Sequence, residues 1–348
     1  MRMIRRTSLL AFVLVAAVAA SAAAQPAKYR APRTEAGHPD LQGVWNFNTG
    51  VPLQRATNIP SEQLIYTPAQ WKARQEFMRK ALGTILEIAP VEAIGFDWMD
   101  FTLHAEDLRT SMITYPANGR MPALQKGVSR MPGIDDFLNI LGELKGPPPP
   151  ALGALLAAFT GGAKNSYTDF MPSERCLFAA DVPLLPQLED NHMQIVQSHD
   201  TVILINDFQR RVINLTSKVL GPQLRTNSGI SRGRWEGETL VVDTSNFDGK
   251  FPSFNGAGKS TDKVVTERIT RTAANRIEYS ATVVDKSTFQ DRIEMSFPMT
   301  LVNVRIHEGG CHEGNYSMRN SLYAARLDEA AKAKESAAKG AASNATNK

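Results

Sequence analysis

The sequence predicts an all-β fold, an antiparallel closed barrel of eight to ten strands with helical excursions before it and a C-terminal helix after it. Three observations predict this. From Met193 to Val304 the apolar residues alternate with period two, the spacing of a half-buried strand. Short turns break the alternation, at His199-Asp200, Glu236-Gly237 and Ala274-Asn275. Together with an earlier strand-like run around Trp45 the count reaches about nine, enough to close a sheet on itself and leave no exposed edge.

Taken in order, residues 1–24 read as an export signal. Arg2, Arg5 and Arg6 form its basic start, and Leu9 to Ala20 is an apolar run too short to span a bilayer comfortably. Ala22-Ala23-Ala24 offers a small-residue cleavage site that leaves Gln25 as the mature N-terminus. No later run is apolar enough to span a membrane, so the expected product is periplasmic with no membrane span. Taking the three leader arginines from the formal +4 leaves +1 on the mature chain. A near-neutral chain without a basic cluster argues against nucleic acid as partner.

Residues 25–326 are expected to form a single barrel domain. Leu41 to Phe47 reads as the first strand. Thr67-Pro68-Ala69-Gln70 starts a helix: Thr67 caps it, Pro68 opens its first turn and Gln70 closes a capping box. Trp71, Met78 and Leu82 then share one face. A helical and irregular insertion covers about residues 60–170. It holds the Tyr115–Arg120 turn, a short apolar helix from Ile134 to Leu144, and an Ala/Leu stretch from Ala151 to Phe159 that is either a lid or a surface excursion. Strands follow around Gln194, Val202–Ile205, Arg211–Leu215, Arg232–Trp235, Leu240–Thr244, Val264–Thr270, Ile277–Val284 and Ile293–Val304. Asn315 can cap the last helix, with Met318, Leu322 and Ala325 at helical spacing. Residues 327–348 have little to bury and are predicted to form a disordered tail.

The densest chemistry lies in His307-Glu308-Gly309-Gly310-Cys311-His312-Glu313-Gly314-Asn315, which holds two of the six histidines and one of the two cysteines. It is not a zinc-protease helix, because the position four after His312 is Tyr316. No metal site is expected. A helix start just beyond His312 and Glu313 disfavours imidazolium and stabilises carboxylate, which suits a neutral acid–base pair. The same residues can equally tie the helix to the barrel through loop backbone. Arg232 and Arg234 share one strand face, with Trp235 on the other. If that face points inward, Arg234 stabilises anionic charge in a cavity. If it does not, Arg234 pairs with Asp243 or Glu267. Asn191 and Gln194 form a further polar group, while Asp207 with Arg210 and Arg211 reads as a solvated turn. Cys176 and Cys311 pair in an oxidising compartment or remain free thiols. Pairing brings Arg175 toward His312.

Several blocks resemble a large group of uncharacterised exported bacterial proteins: Pro39 to Phe47, Asn118 to Pro122, Glu174 to Leu177, Gln194 to Gln197, Ser231 to Val242 and Cys311 to Tyr316. The resemblance covers about residues 31–326 and implies no established activity. The chain departs from the pattern at Ile230, where members usually carry an acid, and at Asp285 to Phe289, which lacks their Asp-Pro and Pro-Trp pairs. Gly43-Val44-Trp45 resembles the first strand of lipocalin-like barrels.

The expected function is that of a pocket barrel for an apolar or aromatic small molecule, without a cofactor. In an isomerase-, hydratase- or lyase-type version His312, Glu313 and Arg234 are catalytic. Arg232, Trp235, Asp243, Arg175, Asn191, Gln194, Asn315 and Tyr316 then hold the ligand. The competing expectation is an envelope structural or interaction protein with no small-molecule site.

Overall fold

The computed structural model describes residues 29–88, 108–130, 165–170, 175–177, 182–186, 191–216 and 224–346. The expected leader, the helix expected at 134–144 and the Ala/Leu stretch at 151–159 lie outside these residues. Ten strands form one sheet: β1 Gly43–Asn46, β2 Ile113–Tyr115, β3 His192–Gln197, β4 Thr201–Ile205, β5 Arg210–Asn214, β6 Ile230–Glu236, β7 Thr239–Ser245, β8 Val264–Ala273, β9 Arg276–Val284 and β10 Ile293–Val302. Their order is β1-β3-β4-β5-β6-β7-β8-β9-β10-β2, and β1 also bonds β10. Nine strands therefore close a barrel, with β2 added along β10 beside β1.

The expected antiparallel barrel is present with one difference. β5 and β6 run parallel, pairing Ile213 with Ser231 and Asn214 with Arg232. Tight hairpins reverse the chain, but the connection after Leu215 is long enough to carry it back to the same end before it re-enters the sheet. This step fixes which end each residue reaches. The β4–β5 turn and the first residues of β6, β8 and β10 lie at one end, the mouth. The β3–β4, β6–β7 and β8–β9 hairpins lie at the other, the floor.

Alternation fills the interior. Val265, Glu267 and Ile269 of β8 point in, as do Ile277, Tyr279, Ala281 and Val283 of β9 and Met295, Phe297 and Met299 of β10. Complete burial of large side chains such as Trp45, Phe47 and Phe297 contributes roughly 1.5–3 kcal/mol each. The floor is sealed by the segment before β1. Trp45 Nε1 donates to Leu41 O at 2.8 Å, and the Arg271 guanidinium lies 5.4 Å from the Trp45 ring while donating to Asp40 O.

Among the described residues two α-helices flank the barrel, α1 Pro68–Ile88 and α2 Tyr316–Thr346. The capping box of α1 forms as its sequence predicts: Gln70 N donates to Thr67 Oγ1 at 3.3 Å, and Thr67 N to Gln70 Oε1 at 2.9 Å. Trp71 packs with Ile59 and Tyr66 in a small satellite core. Asn315 caps α2 by accepting from Met318 N, and the expected Met318, Leu322 and Ala325 stripe is half-buried. The helix runs on to Thr346, across the segment whose composition predicts a disordered tail. Alanine, lysine and glutamate are strong helix formers, and Glu335 and Lys339 pair at i,i+4.

Candidate functional site

Among the described residues, the barrel encloses a cluster of charge. Arg211 of β5 and Glu267 of β8 point inward and meet as a bidentate pair, one arm at 2.9 Å. Their side chains are 6% and 1% exposed. The remaining guanidinium edge donates to Ser231 Oγ at 2.9 Å and Thr244 Oγ1 at 2.8 Å. Tyr279 of β9 donates its hydroxyl to Glu267 Oε1 at 2.8 Å and accepts from Leu184 N at 2.8 Å. A buried ion pair is tolerable only when hydrogen bonds satisfy it in this way, and Arg with a carboxylate allows the two-armed geometry.

Against this cluster lies a cavity of about 20 Å³, room for one or two water molecules. Leu184, Met193, Ile195, Leu204, Ile269 and Met299 give it an apolar wall. Asn206, Gln209, Arg211, Glu267 and Tyr279 supply its polar groups. Asn206 and Gln209 belong to the β4–β5 turn, so the cavity lies toward the mouth.

Burial, and then the Glu267 carboxylate, push the Tyr279 hydroxyl well above its usual range. The folded barrel therefore holds it neutral, whereas an unfolded tyrosine ionises near pH ~10. With the folded value raised, the stabilisation from this group is complete below about pH 10 and is lost as pH rises from there toward the folded value. Alkaline titration followed by near-ultraviolet absorbance should show one tyrosine that ionises only as the barrel unfolds. Tyr279→Phe should remove that late step.

The other expected site residues lie elsewhere. Arg232 and Arg234 share a face as alternation predicts, and that face is the outer one. Arg234 pairs there with Asp243 and with Glu236, which also holds Arg268. Gln194 also points outward, paired between Val44 and Ile205. Glu267 is the partner of Arg211 and not of Arg234. Trp235 faces the inner side and stacks on His38, with ring centroids 5.3 Å apart. Asn191 is buried at the mouth end, its carbonyl accepting from Phe47 N. Tyr316 is exposed.

Cys176 and Cys311 are joined in a disulfide, with their Cα atoms 5.7 Å apart. The bond brings Arg175 to the turn that precedes α2, and Asn315 Nδ2 reaches Cys176 Sγ at 3.3 Å. Arg175 Nε is buried there without a hydrogen-bond partner. His312 and Glu313 are exposed in that turn. The residues just before it dock at the mouth, where Gly309 N donates to Asp207 O at 2.8 Å and His307 N to Asp207 Oδ1 at 3.2 Å. Arg234 lies next to the β6–β7 hairpin, at the floor. The structure therefore does not bring His312 and Glu313 together with Arg234, and none of the three lines the cavity.

Sequence reasoning missed Arg211, Glu267 and Tyr279. A signal for them exists. Arg211 shares its strand face with Ile213, while the apolar Val212 takes the other face and is 58% exposed. Glu267 likewise sits between Val265 and Ile269 on an otherwise apolar face. A charge at an inward position of one strand calls for an opposite charge at an inward position of another. Among the described residues no helix is long and apolar enough to cross a membrane. Compared with family models, curated proteins and solved structures, the chain has no match in any of the three.

Proposed function

We propose that this chain is an exported barrel that binds one small molecule, apolar with a single polar end, in the cavity above Arg211, Glu267 and Tyr279. The observation that carries the reading is a hydrogen-bonded charged pair at one side of the cavity, with Asn206, Gln209 and Tyr279 beside it, facing a wall of six apolar side chains. Such a wall favours an apolar body, and a few fixed polar groups orient its end. The reading is one of binding without chemistry, and it makes no use of His312, Glu313 or Arg234. The disulfide fits an oxidising compartment, and with it export to the periplasm.

Size limits the ligand. In the state described, the cavity holds about one or two heavy atoms. A longer chain or an aromatic ring enters only if Leu184 or the β4–β5 turn moves outward. That small volume is the one observation favouring the structural reading, in which the polar cluster simply fixes strand register. Native mass spectrometry of the chain purified from its own source separates the two. Binding predicts a small molecule that is released on denaturation and lost in Leu204→Phe, which fills the cavity. Bare protein of unchanged mass in both forms contradicts the ligand reading.

A further inference from the structure

We propose that residues 307–311, seated on the β4–β5 turn and latched by the Cys176–Cys311 bond, form a strap that controls access to the interior cavity. Nothing in the chemistry of the charged cluster requires this strap, and it arises from a different part of the chain. The turn it sits on, however, supplies two of the cavity's walls. Asn206 and Gln209 line the cavity, and between them Asp207 and Phe208 meet the strap.

Three contacts seat it. Gly309 and His307 donate backbone hydrogen bonds to Asp207, as described above. The Phe208 ring packs so closely on Gly309 that any β-carbon there would overlap it. At the surface Glu308 lies 4.0 Å from Arg210, with both side chains well exposed, so this pair adds little. Two backbone hydrogen bonds and one ring contact are a weak hold for an exposed segment. The disulfide two residues beyond Gly309 strengthens the hold, because it fixes Cys311 covalently to the buried Cys176.

If the strap lifts, the turn loses its outer support and the cavity opens to solvent. Hydrogen peroxide is small enough to report this. It transfers one oxygen atom to a methionine thioether, the sulfur giving up two electrons and water leaving. Met193 and Met299 line the cavity, whereas Met295 is 1% exposed and does not. Oxidation at each site is read by peptide mass spectrometry under native conditions. Two variants lift the strap by different routes: Gly309→Val displaces Phe208 and leaves the disulfide intact, and Cys176→Ser with Cys311→Ser removes the latch.

The strap predicts that Met193 and Met299 oxidise about tenfold faster in either variant, with Met295 unchanged in Gly309→Val, as expected for a local opening. Hydrogen exchange at the backbone amide of position 309 should rise in parallel. Unchanged rates at Met193 and Met299 in Gly309→Val overturn the proposal. So does a rise that Met295 shares in Gly309→Val, because with the disulfide intact that reports unfolding of the whole barrel. The readout is access alone, so it stands apart from what the cavity binds.

Discussion

Glu267→Ala is expected to lower the unfolding free energy by about 3–5 kcal/mol, because it strands the Arg211 charge inside the barrel. The carboxylate accepts both arms of the guanidinium and the Tyr279 hydroxyl, so its removal leaves three donors without their acceptor. Arg211→Met with Glu267→Leu should cost far less than the single change, since the pair is replaced by apolar side chains of similar size. Urea denaturation of the wild type and these two variants measures both quantities. A double variant as unstable as Glu267→Ala would mean that the cluster stabilises the barrel by more than mutual neutralisation.

The second large effect is expected at the disulfide. Cys176 and Cys311 are 135 residues apart, and releasing a loop of that length restores unfolded-chain entropy worth about 4–5 kcal/mol. Cys176→Ser with Cys311→Ser should therefore lower the denaturation midpoint and steepen its denaturant dependence, because the unfolded chain expands. A loss below about 1 kcal/mol would show that the unfolded state is compact without the bond. The bond joins the turn before α2 to a segment far upstream, so this variant also reports how strongly the helix is held to the barrel.

These two expectations differ in how far the sequence alone supports them. The disulfide could be proposed from two cysteines and an expected export signal, though pairing and free thiols stood as alternatives until the two cysteines were seen side by side. Barrel closure was legible in the alternation of Met193 to Val304 and in the first strand at Trp45. The Thr67–Gln70 capping box and the Asn315 cap were legible because each depends on a few neighbouring residues. The parallel step between β5 and β6 was not, because periodicity carries no information on the direction in which a strand pairs. That step decides the fate of Arg234. Parity places it with Arg232 on one face, but only the closed barrel shows which face is outside and that β6 ends at the floor.

The inward charges were hidden for a related reason. Arg211 follows Arg210 directly after a polar turn, so composition reads both as solvated, yet one faces water and the other faces Glu267. Parity separates them once Ile213 is taken as the inward reference. Glu267 and Tyr279 meet Arg211 only through barrel closure, across 56 and 68 residues of sequence (Arg211 to Glu267, and Arg211 to Tyr279). The His307–Asn315 stretch shows the opposite case. Its residues suggest chemistry by their identity, but their placement gives them a mechanical part, with Gly309 seated on the mouth, Cys311 in the disulfide and Asn315 capping α2.

Methionine methyl resonances report whether the interior cavity takes a ligand. Met193 and Met299 line the cavity, and Met295 serves as a buried reference outside it. A titration with straight-chain alcohols from ethanol to hexanol should shift the Met193 and Met299 methyl signals in a saturable way, leave Met295 in place, and lose its effect in Leu204→Phe. Signals that move together, or not at all, across the whole alcohol series would contradict a ligand site in this barrel.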